Sequence, residues 1–81
     1  MKLQVLVFGP AAVALGASAC EVTVHEGATV RDVLRALGEQ VPALASWAPL
    51  ARVARNHAFA APGETVEPGD ELALLVAMSG G

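Results

Sequence analysis

The sequence contains one cysteine, Cys20, and two histidines, His25 and His57, among 81 residues. A single thiol excludes an internal disulfide, and it excludes a zinc site built from several cysteines. The two histidines have no partners at metal-ligand spacing, which argues against a histidine-based metal centre. The scarcity of cysteine fits a reducing compartment, so we expect a cytoplasmic protein with no bound metal.

Basic residues are also few. Five Lys and Arg are set against eight Asp and Glu, which gives a formal net charge of −3 at pH 7. Such a chain has no basic patch that would neutralise a phosphate backbone, and this argues against nucleic-acid binding.

Long apolar runs are missing as well. Hydrophobic residues make up 54% of the chain, but many are alanines, and no run approaches the length of about 18 residues that a membrane helix needs. The opening run from Leu3 to Phe8 is too short for a signal-peptide core. We therefore expect no membrane segment, and a single small domain over residues 1–81.

Hydrophobic residues alternate along the first predicted strand. One face is apolar and is the predicted core face, with Leu3, Val5 and Val7. The other face is half polar, with Lys2, Gln4, Leu6 and Phe8. On that face Phe8 is either covered by a loop or part of an exposed contact patch.

Proline and glycine delimit the next elements. Pro10 and Gly16 bracket a short helix over Ala11–Leu15. Residues 20–25 then alternate cleanly and predict a second strand, antiparallel to the first, with Cys20 facing inward. An inward Cys20 is read as a small buried hydrophobe or, alternatively, as a nucleophile, although no base lies near it in sequence.

The clearest helix begins after Thr29. This threonine is a capping residue, and Asp32 three positions later suits the positive end of the helix dipole. Apolar residues recur at helical spacing, and Gly38 is the predicted end of the helix. The apolar stripe consists of Val30, Val33, Leu34 and Leu37. Arg31 and Arg35 lie outside the stripe, either as a solvated face or as contacts for an acidic partner.

The second half of the chain predicts short elements. Pro42 and Pro49 exclude a long helix between residues 41 and 50, where a 3₁₀ turn would place Leu44 or Trp47 against the core. Strands are predicted over residues 51–55 and 58–60, joined by a turn at Asn56-His57. Pro-Gly turns follow, and the last strand starts at Leu72. It is apolar on both faces, as in the centre of a sheet, with Leu72, Leu74 and Val76 on one face and Ala73, Leu75 and Ala77 on the other.

The sequence ends in Ser79-Gly80-Gly81. Two residues without side chains contribute nothing to a core, so we expect a free tail. A slim tail with an unhindered carboxylate suits chemistry on the C-terminus itself, but many chains fray into small residues at their ends. From these residues alone, both interpretations stay open.

The predicted order is β-β-α-β-β-β, an α+β domain in which one main helix packs across a mixed sheet and the first and last strands run parallel in the middle. This is the ubiquitin-like β-grasp, with a free C-terminal Gly-Gly tail over residues 78–81. The whole chain resembles the MoaD family of sulfur carriers, the small subunits of molybdopterin synthase. The matching segments are the strand into Phe8, Leu15-Gly16, residues 29–34, Asn56, and residues 68–72 leading to the terminal glycines.

The resemblance implies a function. A MoeB-type activating enzyme would use ATP to adenylate the Gly81 carboxylate, and a cysteine desulfurase or rhodanese would supply sulfur to form a thiocarboxylate. Ser79, Gly80 and Gly81 would insert into the large, MoaE-type subunit and donate sulfur to cyclic pyranopterin monophosphate. The chain would bind no permanent cofactor and would hold no complete active site of its own.

The resemblance also implies a docking patch made of Phe8, Phe59, Leu75 and Met78. Strand alternation places Phe8 and Leu75 away from the core independently of the resemblance. The chain departs from the family at Ala77-Met78, where a pair of prolines is common, so we expect a less stiff tail before binding.

Two other functions remain open. One is a ThiS-like or tRNA-thiolation sulfur carrier, although thiamine-type carriers tend to be shorter and to lack much of the segment over residues 43–50. The other is a β-grasp interaction module or protein modifier without sulfur chemistry, in which the terminal glycines are incidental or are joined to lysines.

Overall fold

Five strands and two helices form the fold, and the computed structural model describes residues 1–76. Their bounds are β1 (Lys2–Val7), α1 (Gly9–Leu15), β2 (Ala19–Thr23), α2 (Val30–Gln40), β3 (Ala51–Arg55), β4 (Ala58–Phe59) and β5 (Leu72–Val76). Two single-turn 3₁₀ helices, Pro42–Leu44 and Ala48–Leu50, connect α2 to β3.

The last strand lies in the middle of the sheet. The strand order is β2-β1-β5-β3-β4. β1 and β5 run parallel, whereas the other neighbouring strands are antiparallel. The sequence of β5 is apolar on both faces, which predicts a central strand; Leu72 and Leu74 are buried, whereas Ala73 and Leu75 on the other face are half-buried. The predicted β-grasp arrangement is therefore confirmed, including its parallel first and last strands.

The core lies on one face of the sheet. Leu3, Val5 and Val7 of β1 are at most 2% exposed, and Leu72 and Leu74 of β5 are fully buried. α2 packs on this face through its buried residues, Val30, Val33, Ala36 and Leu37. Leu34 belongs to the predicted stripe but is only half-buried. The opposite, outer face of the sheet leaves Phe8 and Phe59 exposed.

The start of α2 is predicted correctly and its end is not. Thr29 Oγ1 accepts a hydrogen bond from Asp32 N at 3.3 Å, and Asp32 Oδ2 accepts one from Thr29 N at 2.9 Å, so the capping box is complete. The helix continues past Gly38 to Gln40 and stops before Val41, since a residue that precedes proline avoids helical backbone angles. Among residues 1–76, no helix has the length and apolar character to cross a membrane.

Three other elements have bounds that differ from the prediction. α1 begins two residues early, at Gly9, because this glycine takes a positive φ of 65° that turns the chain out of β1. β2 runs over Ala19–Thr23 instead of residues 20–25, and it ends where Thr23 pairs with Lys2, the first residue of β1. β4 ends at Phe59 rather than at residue 60.

The segment between α2 and β3 closes the core. Leu44 is fully buried in the first 3₁₀ turn, and Trp47 packs against the core while remaining half-buried. Both of the predicted alternatives therefore contact the core.

Candidate functional site

An apolar row crosses the outer face of the sheet from edge to edge. Leu6 of β1 pairs with Ala19 of β2 and with Ala73 of β5. Ala73 pairs in turn with Ala54 of β3, and Ala54 pairs with Phe59 of β4. Residues that pair directly across strands share one face. The row therefore brings together apolar side chains from all five strands on the face turned away from the core.

All members of this row except Ala19 line the floor of a shallow cavity of about 420 Å³, which we call the sheet trough. Its lining consists of Leu6, Phe8, Ala54, His57, Phe59, Glu71, Ala73 and Leu75. Phe8 is 49% exposed and Phe59 is 59% exposed, an unusual degree of exposure for two large aromatic rings. The small side chains of Ala54 and Ala73 lie between the larger ones, so the trough has depth.

Three residues of the predicted docking patch meet in the sheet trough. Phe59 lies in β4 and Leu75 in β5, and Phe8 directly follows β1; the three side chains line the same cavity. The fourth, Met78, lies outside the described residues, as do Ser79, Gly80 and Gly81.

The sequence did not assign Leu6, Ala54 and Ala73 to a site. Alternation does place Leu6 on the face of Phe8, and Ala73 on that of Leu75. These residues come together only because strands that are far apart in the sequence pair in the sheet, and alternation within one strand does not reveal that pairing.

Charged groups stand at the rim of the trough. The guanidinium carbon of Arg52 lies 4.6 Å from the centre of the Phe59 ring, within the range of a cation–π interaction. His57 Nε2 lies 3.2 Å from Glu71 Oε2. A partner therefore meets an apolar floor with a cation on one side and an exposed His–Glu pair on another.

A hydrogen-bonded turn holds the start of β5 in place. Asp70 Oδ1 accepts from Asn56 Nδ2 at 3.0 Å, and Asp70 Oδ2 accepts from Arg55 Nε at 2.5 Å and from Glu67 N at 2.7 Å. Asn56 Oδ1 accepts from Glu71 N at 3.0 Å. Desolvation raises the pKa of the Asp70 carboxyl, but these hydrogen bonds outweigh it, so the pKa lies below its usual value.

In the part of the chain that the structure describes, no cluster of three or more His, Cys, Asp and Glu is arranged to hold a metal ion. Cys20 is half-buried, and burial raises the pKa of its thiol, which disfavours the thiolate. The apolar surface is suited to binding a protein.

The chain is similar to proteins of known structure along its whole length. The ThiS family profile matches residues 5–81. SAMP1 from Haloferax volcanii is 35% identical, with a TM-score of 0.84 and full coverage of both chains. A protein from Pyrococcus furiosus, assigned as subunit 1 of a molybdopterin converting factor, is 19% identical, with a TM-score of 0.78 over 95% of this chain and 99% of that one.

A structure of a complex between subunits 1 and 2 of the molybdopterin-converting factor from Helicobacter pylori also matches. Its matching chain is 21% identical, with a TM-score of 0.67 and full coverage of both chains. At these identities the last two likenesses establish the fold. A comparison with curated protein sequences gives no match. The family profile and the 35% identity to SAMP1 over the full length agree, and the chain belongs to the ThiS family of ubiquitin-like sulfur carriers.

Proposed function

We propose that this chain carries sulfur on its C-terminus for molybdenum cofactor biosynthesis, as the small subunit of a molybdopterin synthase. The observation that carries the proposal is the position of the sheet trough. Leu75, near the end of β5, lines it, and the sequence continues from β5 to Ser79-Gly80-Gly81. A partner that covers the trough is thereby placed next to the segment whose carboxylate would react.

The proposed reaction takes place on the carboxylate of Gly81. One carboxylate oxygen attacks the α-phosphorus of ATP in a MoeB-type enzyme, which releases pyrophosphate and leaves an acyl adenylate. The terminal sulfur of a persulfide, supplied by a cysteine desulfurase or rhodanese, then displaces AMP to form an acyl disulfide. A second thiol attacks the other sulfur of that bond, which releases the thiocarboxylate and leaves a disulfide on the donor side. A carboxylate is a poor electrophile and AMP is a good leaving group, so ATP supplies the activation.

Docking would use Phe8, Phe59, Leu75 and Met78. Aromatic side chains in the centre of an interface commonly provide much of its binding energy. The Helicobacter pylori complex supports a large-subunit partner for a chain of this fold. The five residues beyond Val76 span at most about 17 Å, enough for Gly81 to enter a neighbouring active site from the edge of the trough.

Mass spectrometry tests the carrier function. After incubation with an activating enzyme, ATP and a sulfur donor, we expect the C-terminal peptide to gain the mass difference between sulfur and oxygen. If the mass stays unchanged while the same enzymes load a known carrier, the chain is not a sulfur carrier.

The sulfur acceptor is tested separately. The thiocarboxylated chain is mixed with a large synthase subunit and cyclic pyranopterin monophosphate, and molybdopterin is the expected product. Loading without molybdopterin formation would favour the alternative function, a ThiS-like or tRNA-thiolation carrier. The match to the ThiS family profile is consistent with this alternative.

A protein modifier is the second candidate, favoured by the 35% identity to SAMP1, whose name in full is small archaeal modifier protein 1. In this function the activated Gly81 forms an amide bond with a lysine of a target protein. Conjugates that survive denaturant and thiol reductant, and that disappear when Gly81 is deleted, would support it. Sulfur transfer without conjugates would exclude it.

A further inference from the structure

A second groove lies on the opposite side of the molecule from the sheet trough. α2 and the 3₁₀ turn Ala48–Leu50 flank a cavity of about 430 Å³, which we call the helix groove. Its apolar lining consists of Leu34, Gly38, Ala45, Ala48 and Pro49, and its charged lining consists of Arg31, Arg35 and Glu39. α2 separates this groove from the sheet, so a molecule bound here leaves the sheet trough open.

The two arginines give the groove its charge. Arg31 and Arg35 are one helical turn apart and both are exposed. Neither forms an ion pair within residues 1–76. The acidic residues nearby are Asp32, whose carboxylate accepts a hydrogen bond from Thr29 N at the start of α2, and Glu39 at the other end of the lining. In a chain of net charge −3, this is a local positive surface beside an apolar one.

The groove owes its depth to Gly38. A Cβ at this position would meet only the Cβ of Ala48, at 3.9 Å, and the backbone there has no positive φ. Neither packing nor backbone geometry therefore requires glycine at this position. Alanine would also make the helix more stable than glycine does. Because Gly38 has no side chain, there is room for a partner's side chain at the bottom of the groove.

We infer that the helix groove binds an acidic segment of a partner protein, which places an apolar side chain over Gly38 and carboxylates against Arg31 and Arg35. Glu39 sets the direction, because it repels an acidic residue at its end of the groove. Two arginines are too few for a membrane surface, which is recognised by clusters of about four to eight basic residues. Within residues 1–76 the chain has no buried polar side chain to orient a small ligand. The inference does not depend on the proposed sulfur chemistry.

A titration followed by NMR tests the inference on the full chain. The probe is a blocked peptide in which two leucines are flanked by pairs of glutamates. We expect saturable shifts for the amides of residues 31–39 and 45–50 and none for the residues of the sheet trough. Affinity should fall as salt is raised, because the arginines are exposed.

Matched variants separate the contributions of charge and shape. Arg31→Glu with Arg35→Glu should lower the affinity for the peptide at least about fivefold, since two exposed charge pairs are lost and reversed. Arg52→Glu, the same charge reversal at the sheet trough, should leave the affinity unchanged. Gly38→Leu should also weaken binding by filling the groove with no change of charge, and Gly38→Ala serves as the smaller substitution if the leucine variant unfolds.

Several outcomes would overturn the inference. If a peptide with lysines in place of the glutamates binds equally well, the arginines do not select an acidic segment. If the NMR shifts are confined to the sheet trough, or if no saturable shifts occur, the helix groove is not a binding site for this peptide. If the protein binds phosphatidylserine-containing vesicles but not the peptide, the ligand of the groove is a membrane surface and not a protein segment. Sulfur loading of Gly81 is unaffected by each of these results, so the inference and the proposed function can fail separately.

Discussion

Arg55 and Asp70 are joined by a side-chain ion pair, with 2.5 Å between Arg55 Nε and Asp70 Oδ2. Arg55 is the last residue of β3, and Asp70 lies in the turn that precedes β5. The Asp70 side chain is 8% exposed, which makes it the most enclosed charged group among the ion pairs of residues 1–76. The pair therefore fixes the start of the central strand to its neighbour, and with it the position of Ala73 and Leu75 in the sheet trough.

We expect Asp70→Asn to destabilise the protein by about 1–3 kcal/mol, because it leaves Arg55 with only the more distant Glu64 carboxylate, at 3.8 Å, and weakens hydrogen bonds to a charged acceptor. Urea unfolding measures the change. Glu67→Gln is the matched control, since Glu67 is in the same turn but its exposed carboxylate forms no ion pair within residues 1–76. Equal effects of the two substitutions would contradict the role of the ion pair.

Acid should weaken the fold through the same carboxylate. The pKa of Asp70 in the folded protein lies below its usual value, so in acid the unfolded chain binds more protons than the folded one. The stabilisation is therefore complete above the unfolded-state pKa of about 3.9 and is lost as the pH falls through the folded-state pKa. Urea midpoints measured from pH 7 down to pH 2 should decline in this window. The decline should be smaller in Asp70→Asn, and an identical decline would show that other groups cause it.

Local sequence rules predict the elements of this fold well. Alternation in β1 identifies its buried face and places Phe8 on the opposite one, and the Thr29–Asp32 capping box marks the first turn of α2. The end of α2 is missed because glycine is compatible with helical angles, whereas the proline after Val41 actually stops the helix. Gly38, a residue type common at helix ends, lies inside α2 and lines the helix groove.

Long-range pairing limits what the sequence reveals about the site. Each strand of the sheet trough can be assigned its faces by alternation, but the register that sets Leu6 beside Ala73 depends on side-chain packing between distant segments. The contact between Arg55 and Asp70 depends in the same way on the register between β3 and β5, which pairs Arg55 with Leu72. Phe8, Phe59 and Leu75 were grouped through a family resemblance, and their common cavity is a property of the folded chain.

Replacing both exposed aromatic residues should weaken docking more than folding. We expect Phe8→Ala with Phe59→Ala to lower the affinity for a large synthase subunit by about 2 kcal/mol or more. The loss of folding stability should be only about 1 kcal/mol per residue, because both rings are about half exposed. Calorimetric titration measures the first quantity and urea unfolding the second.

Val13→Ala is the control for this pair, since Val13 of α1 is 82% exposed and does not line the sheet trough. It should change neither quantity by much. If the aromatic variant unfolds readily while its binding is preserved, both rings belong to the core rather than to a docking surface.

Filling the floor of the sheet trough should block docking without removing a contact residue. Ala73 lies in the middle of the apolar row, and Ala73→Leu places a larger side chain in the cavity of about 420 Å³. The fold should tolerate it, because the substitution adds apolar area on the outer face and not in the packed core. We expect normal unfolding and reduced affinity for the large subunit. Normal affinity would mean that the partner does not insert a side chain between Leu6 and Phe59.

Deleting Gly81 should abolish sulfur transfer and leave the fold intact. The deletion shortens the reach of the segment beyond β5 by about 3.5 Å, so the carboxylate no longer arrives at the phosphorus of ATP or at the sulfur acceptor. The folding midpoint should stay at the wild-type value, because a terminal glycine has no side chain to bury. The measurement combines thiocarboxylate detection by mass spectrometry with thermal unfolding. Gly81→Ala is the sharper companion, since it restores the length and adds only a methyl group. If that variant is loaded as fast as the wild type, the channel that receives the segment does not require glycine, and length alone accounts for the effect of the deletion.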